Sequence, residues 1–210
     1  MKLSLFLFFM SLISFGQNDT ISSFDVKKVL NVEEQRYYYY EKINPNADPF
    51  NPDNYKLIDN KVIKSKNKFE IIKNGFLEKE ILITIGSTKK TVKLFEDNRI
   101  SYRVYCEENY LNKVEFFQDS ILTKEFFYGL NNRVYLYSYT DFGYFLLDFF
   151  NNKVYKYKVV VKNSKIVEKV LLVTSDDIEI TEGFDGKYFY NDSVNESDLI
   201  FEKFKSLCSE

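Results

Sequence analysis

The sequence predicts a mainly β protein: an antiparallel meander of hairpin repeats, open or curled, with one C-terminal helix. Three observations predict it. Turn-forming residues recur at a fixed step of 22 residues, at Asp97, Asp119, Asp141, Asn163 and Asp185. An aromatic residue stands two positions before the first three of them (Phe95, Phe117 and Tyr139), and Val161 before the fourth. Between the turns lie runs with the period-2 alternation of a half-buried strand. In 99–106, Ile100, Tyr102, Val104 and Cys106 alternate with Arg99, Ser101, Arg103 and Tyr105. Finally, every glycine after residue 16 falls in a turn region, and all three prolines fall between 45 and 52. One period is then one β-hairpin, and short connections make consecutive strands antiparallel neighbours.

The elements follow in chain order. Residues 1–16, "MKLSLFLFFMSLISFG", carry one charge (Lys2), an apolar run and small residues at Ser14 and Gly16. That is the layout of a secretory signal peptide, too short to span a bilayer. No Cys follows the run, which argues against a lipid-modified N-terminus. Residues 17–52 form an N-terminal segment and a proline-containing linker, "NPNADPFNPDN". In this segment Val26, Val29 and Leu30 have helical spacing, whereas Tyr37 to Tyr40 favour strand, so both forms stay open.

Residues 53–192 form the β-repeat domain, with strand-like runs at 89–96, 99–106, 122–128, 133–139, 144–150, 154–161 and 166–174. One turn series comprises Asn74-Gly75, Asp97-Asn98, Asp119-Ser120, Asp141-Phe142-Gly143, Asn163-Ser164 and Asp185-Gly186. Half a period away lie Gly86, Glu108-Asn109, Gly129 to Asn132, Asn151-Asn152 and Asp176-Asp177. Asn, Asp and Gly tolerate the left-handed backbone that tight hairpins need. The aromatic before each Asp ends a strand, where it can stack on its counterpart in the next hairpin. Residues 193–210 form a helix. Ser193 and Glu196 have capping-box spacing, and Ile200, Phe204, Leu207 and Cys208 lie on one stripe, joined by Phe201.

The aromatic-x-Asp/Asn turn register over roughly residues 70–190 resembles MORN-like (membrane occupation and recognition nexus) repeat proteins. The resemblance implies a scaffold or interaction surface rather than catalysis. The Gly-x-Trp and His-Gly positions of that family have no counterpart, because the chain has no Trp and no His.

That composition also excludes chemistry. Without imidazole there is no Ser-His-Asp or Cys-His nucleophilic site and no His-ligated metal. A net charge of −2 gives no electrostatic reason to expect nucleic acid as partner. The loop residues Asn44, Asn46, Asp48, Asn51, Asp53 and Asn54 supply oxygens for calcium, but they lack a spaced Asp-x-Asp-x-Asp-Gly frame, so a solvated linker is expected. Glu107-Glu108 and Asp176-Asp177 are the carboxylate pairs available for glycosidase-type acid/base work, and both sit at turns where solvated acids are the rule. No catalytic residue, metal or cofactor is therefore assigned.

The best site-like feature is the run 133–139. It puts Tyr135, Tyr137 and Tyr139 on one face, with Val134 and Leu136 on the other. The expectation is an exported binding or scaffold module (periplasmic, extracellular or at the cell surface) for a protein or glycan. It has no membrane span after signal removal. An outer-membrane β-barrel is the alternative, and a carboxylate-dependent enzyme the second. Against the barrel, lysines interrupt many strands, and the predicted strands are shorter than such barrels use. Cys106 and Cys208 both point toward the core that the helix covers. They form either one disulfide or two separate buried thiols.

Overall fold

A computed structural model describes residues 19–44, 46, 48–130, 133–140, 143–151, 153–162, 165–175 and 186–209. Residues 1–16, expected as a signal peptide, and the turns expected at Asp141-Phe142, Asn163-Ser164, Asp176-Asp177 and Asp185 lie outside the described residues. The chain forms two compact units that divide at Ser101/Tyr102. The division expected at 52/53 is not where they part.

In the first unit β1 (Asp19–Ser22), β2 (Val26–Asn31), β3 (Arg36–Lys42) and β4 (Tyr55–Leu57) precede β5 (Asn60–Lys64), β6 (Lys68–Lys73), β7 (Phe76–Ile83) and β8 (Lys89–Glu96). Strands β5 to β8 are hydrogen-bonded in chain order as an antiparallel meander, whereas β1 pairs with β5 in parallel. A small second sheet has the order β2-β3-β4. Within 19–42 the chain therefore forms the strands β1, β2 and β3, so of the two forms left open for this stretch Val26 to Leu30 take the strand. The proline stretch is a loop between the paired strands β3 and β4 rather than a linker between domains.

The tip of the β6–β7 hairpin explains the attachment. Gly75 donates its N–H to the Ile58 carbonyl at 2.6 Å, and its own carbonyl accepts from Tyr39 N at 2.9 Å. Its φ of +81° is open to glycine, and a Cβ there would stand 2.5 Å from Leu57 Cδ1. Around this tip Tyr39, Ile58, Ile63, Ile72 and Leu77 form a buried cluster, with Ile21, Val26 and Phe95 packed on it.

The second unit is built on β9 (Arg99–Glu107, which carries the boundary), β10 (Tyr110–Gln118), β11 (Ile121–Tyr128), β12 (Val134–Thr140), β13 (Gly143–Asp148), β14 (Lys153–Lys162) and β15 (Lys165–Ser175). Neighbours again follow chain order. In neither unit does the order close on itself, so the open meander forms and the curled alternative does not. The turns have the conformation that hairpin twist demands. Both residues of Asp97-Asn98, Glu108-Asn109 and Asp119-Ser120 have positive φ, between 50° and 68°, and Asn74 and Gly75 likewise have positive φ, at 50° and 81°.

The three aromatics that precede turns each take a different neighbour. Phe95 joins the first unit's cluster, Phe117 lies under the Arg103 guanidinium at 5.1 Å, and Tyr139 meets Tyr144 at 6.2 Å. No counterpart stacking is needed to end a strand.

One face of the second unit's sheet is apolar. Val104, Val114, Phe126, Leu136, Leu147 and Val154 form a cross-strand row, and the first five are fully buried. Each such side chain contributes about 1.5–3 kcal/mol of transfer free energy. A bulge at Asn112 keeps Leu111 on this face together with Val114, two positions that strict alternation would separate.

Helix α1 (Gly186–Phe204), followed by the short α2 (Ser206–Ser209), packs on this row. The stripe of Ile200, Phe204, Leu207 and Cys208 is buried, and Phe201 meets the Tyr128 ring at 5.2 Å. The helix starts seven residues before the expected Ser193, so Ser193 and Glu196 are not a capping box. Ser193 is buried inside the helix, and Glu196 instead pairs with Lys124 of β11 at 2.9 Å. Gly186, expected in a turn, opens α1.

Candidate functional site

Pleating sends alternate residues of β9–β14 to the face opposite the helix. That face carries Tyr135, Tyr137 and Tyr139, all half-buried, while Leu136 between them is enclosed under the helix side. The three tyrosines belong to a larger aromatic field. Register places Tyr135 opposite Phe127, Tyr137 opposite Glu125, and Tyr139 opposite Tyr144. Tyr137 packs edge-on against Phe127 at 5.5 Å and lies 5.8 Å from Tyr144, which stacks on Tyr157 at 4.8 Å. Tyr137, Tyr139, Tyr144 and Tyr157 thus form a continuous chain of ring contacts across β12, β13 and β14.

Beside the rings is a charge ladder. Glu115 and Glu125 sit directly opposite each other on β10 and β11, and both are nearly buried. Like charges in that position repel, and cations resolve the conflict. Lys113 Nζ reaches Glu115 Oε1 at 2.5 Å and Glu125 Oε1 at 3.1 Å. Arg103 Nη1 donates to Glu115 Oε2 at 2.9 Å and to the Tyr105 oxygen at 3.3 Å, and Tyr105 donates to Glu115 Oε1 at 3.0 Å. Tyr139 donates to Glu125 Oε2.

Two cations thus meet two anions, and the ladder neutralises itself. Burial alone would depress the Lys113 ammonium, but its bonds to Glu115 and Glu125 prevail and hold its pKa above the usual value. The same contest raises Arg103, whose helpers are Tyr105 and Glu115. Burial, and then the bond to Glu125, pushes the Tyr139 phenol well up; burial also raises Tyr137. Tyr137 and Tyr139 are therefore neutral at ordinary pH.

The first unit repeats the device. Glu70 faces Glu80 across β6 and β7, with Lys68 bridging them at 2.9 and 3.1 Å and Lys93 on Glu80 at 2.6 Å. Glu41, also buried, takes Lys61 at 2.7 Å and Lys56 at 3.2 Å. Burial opposes ionisation of both Glu41 and Glu80, yet their lysine partners hold each below the usual carboxylate value.

The other expected features do not converge. Glu108 occupies a turn at φ +52°, while Glu107 accepts from Asn112 at 3.2 Å, so the pair does not flank a common point. Loop oxygens of 44–54 serve the backbone: Asn44 accepts from Asn46 N at 3.0 Å, Asp48 from Phe50 N at 2.9 Å, and Asn51 from Asp53 N at 3.0 Å. Among the described residues no group of three or more Asp, Glu, Cys or His stands where it would hold a metal ion. Cys106 and Cys208 are joined, with Cα atoms 5.4 Å apart. Among the described residues no helix is long and apolar enough to cross a membrane.

The ladder was the feature that motif reasoning missed. Its signal is present in the sequence: Glu70 and Glu80 lie symmetrically about Gly75, as Glu115 and Glu125 do about Ser120. A two-residue turn alone would set each glutamate one position out of line; the register shifts at Phe116/Phe117 and Ile71/Ile72 bring the pairs face to face.

No family model matches the chain, and no curated protein matches it. Two solved structures are similar to part of the chain. One is a crystal structure of TarM, at 18% identity and a TM-score of 0.40 over 47% of this chain. The other is a mutant of S. aureus TarM in complex with Fondaparinux, alpha-GlcNAc-glycerol and UDP, at 17% identity with the same score and coverage. The matched part spans 21% of those chains. A likeness of this extent says nothing of activity.

Proposed function

We propose that the chain is an exported β-repeat module that binds a macromolecular partner, a protein or glycan, through the tyrosine face of its second unit. One observation carries the reading: the two faces of that sheet are unlike. The first is enclosed by α1 and α2. The second presents half-buried Tyr135, Tyr137 and Tyr139 beside a ladder whose charges already cancel. Aromatic side chains with polar tips, surrounded by satisfied charges, are the composition of a recognition surface.

A catalytic reading finds no support in the ladder, because each buried carboxylate is held by cations rather than aimed at an open point. The hairpin repeat, similar to that of MORN-like scaffolds, agrees with a binding role, and the apolar leader at 1–16 agrees with export.

The test is capture from envelope extracts of the native organism by the purified chain and by the variant Y135S/Y137S/Y139S. The variant's strand content is verified by circular dichroism. Loss of a reproducibly captured partner in the folded variant is the expected result. Equal capture by both would overturn the assignment of the surface.

A further inference from the structure

We propose that the Cys106–Cys208 bond is a one-way oxidative latch: it fixes the C-terminal helix on the sheet, and the docked helix then shields the bond from thiols. The bond joins the two ends of a sequence separation of 102 residues, from β9 to α2. Its role follows from what a helix needs: in proteins most helical stability comes from packing of an apolar face, so docking must hold this 19-residue helix in place.

Among the described residues the non-covalent contacts come from 196–207. Ile200, Phe204 and Leu207 are buried, Phe204 lies 5.0 Å from the Tyr102 ring, and Tyr128 donates to the Ser197 carbonyl at 3.0 Å. The Lys124–Glu196 pair is one-third exposed on both sides, where ion pairs contribute little. Lys203 sits over the Tyr102 ring at 4.6 Å. Beside these contacts the bond acts with the sheet still folded, so the loop it closes is only the chain from the end of β15 at Ser175 to Cys208; closing it shifts the open-to-closed ratio several hundredfold, with about a thousandfold as the limit, on the chain-entropy model.

Protection runs the other way. Cys106 is 3% and Cys208 1% exposed. Exchange requires a thiolate to approach one sulfur along the bond, so a closed helix denies that approach. Formation is balanced by a disulfide oxidant: two thiols lose two protons and two electrons, the Sγ–Sγ bond forms, and the oxidant's disulfide becomes a dithiol. An oxidising compartment sets the latch, and thiols do not release it while the helix is docked.

Amide hydrogen exchange by mass spectrometry on the full chain tests this. The oxidised protein is compared with protein reduced in denaturant and refolded in dithiothreitol. The expected result is exchange across α1 more than tenfold faster after reduction, approaching the thousandfold limit, with β10–β12 still protected. The variant C106A/C208A should match the reduced chain. The bond in native protein should also be reduced by dithiothreitol more than tenfold more slowly than in denaturant. Helix protection within tenfold of the oxidised chain, in either the reduced protein or the variant, overturns the latch. So does loss of strand protection together with the helix, or equal rates of reduction in native and denatured protein.

Discussion

Replacing Lys113 with Met removes the one ammonium that bridges the facing carboxylates of the second unit. Glu115 keeps Arg103 and Tyr105 as partners, whereas Glu125 keeps only the Tyr139 hydroxyl. Glu125 is 8% exposed, so water does little to replace the lost cation. Breaking a buried pair by removing one partner costs roughly 3–5 kcal/mol. Lys113 keeps about a fifth of its side chain in solvent, which places K113M at the lower end, near 3 kcal/mol. Urea unfolding at pH 7 should show this as a lower midpoint with an unchanged slope.

The pH dependence is more diagnostic. With its cation gone, the nearly buried Glu125 carboxylate faces Glu115 without a bridging counter-charge, an arrangement that penalises the charged form and is relieved by protonation. A carboxyl penalised in its charged form lowers stability as pH rises through the unfolded value and restores it on acidification. The gap between wild type and K113M should therefore narrow from pH 7 to pH 4. Adding E125Q to K113M should recover part of the loss at pH 7. A cost below about 0.5 kcal/mol, or a gap independent of pH, would refute the claim that these charges are held by burial.

Other outcomes follow from the same contacts. Gly75→Ala must adopt φ +81° and displace Leu57, so it should destabilise the first unit by more than about 1 kcal/mol in thermal unfolding. Phe126→Ala empties a site with no solvent exposure and should cost about 3–5 kcal/mol, read by urea midpoint. Glu41 and Glu80 are held below the usual carboxylate value of 4.5, so their contribution is present above that pH and lost as pH falls through their folded values. Lys113, Tyr137 and Tyr139 are raised in the folded state. Stability of the second unit should therefore fall as pH climbs past about 10, where the unfolded groups lose their protons. Urea midpoints that stay flat below pH 4.5 and above pH 10 would contradict these assignments.

Much of the fold is legible in the sequence because its contacts are local. A tight turn with residues that accept positive φ fixes the register of its two strands, so Asp97-Asn98 and Asp119-Ser120 mark hairpins without knowledge of the rest. The stripe of Ile200, Phe204 and Leu207 likewise reports a buried helix face. The rest depends on partners distant in sequence. Strand β2 is exposed from Lys27 to Leu30, so nothing constrains it to alternate, and Val26, Val29 and Leu30 imitate helical spacing. The parallel pairing of β1 with β5 spans the proline loop, which local signals mark only as a break.

The helix start was hidden because Asp185-Gly186 continues the turn series while Ser193 and Glu196 have a cap's spacing. Glu196 is in fact chosen by Lys124, 72 residues away. The tyrosine face was legible from alternation alone. The ladder beside it required the symmetry of glutamates about each turn, together with the bulge at Asn112.

Hydroxyl-radical footprinting of the oxidised full chain tests the central claim, that the second unit's sheet has one closed and one accessible face. Both faces are rich in rings of similar intrinsic reactivity, so labelling reports access. Tyr135, Tyr137 and Tyr139 should be modified readily, while Phe126 and Phe204, at 0% and 1% exposure, stay unmodified until the chain unfolds. Comparable modification of Phe126 and Tyr137 in the native protein would contradict the account.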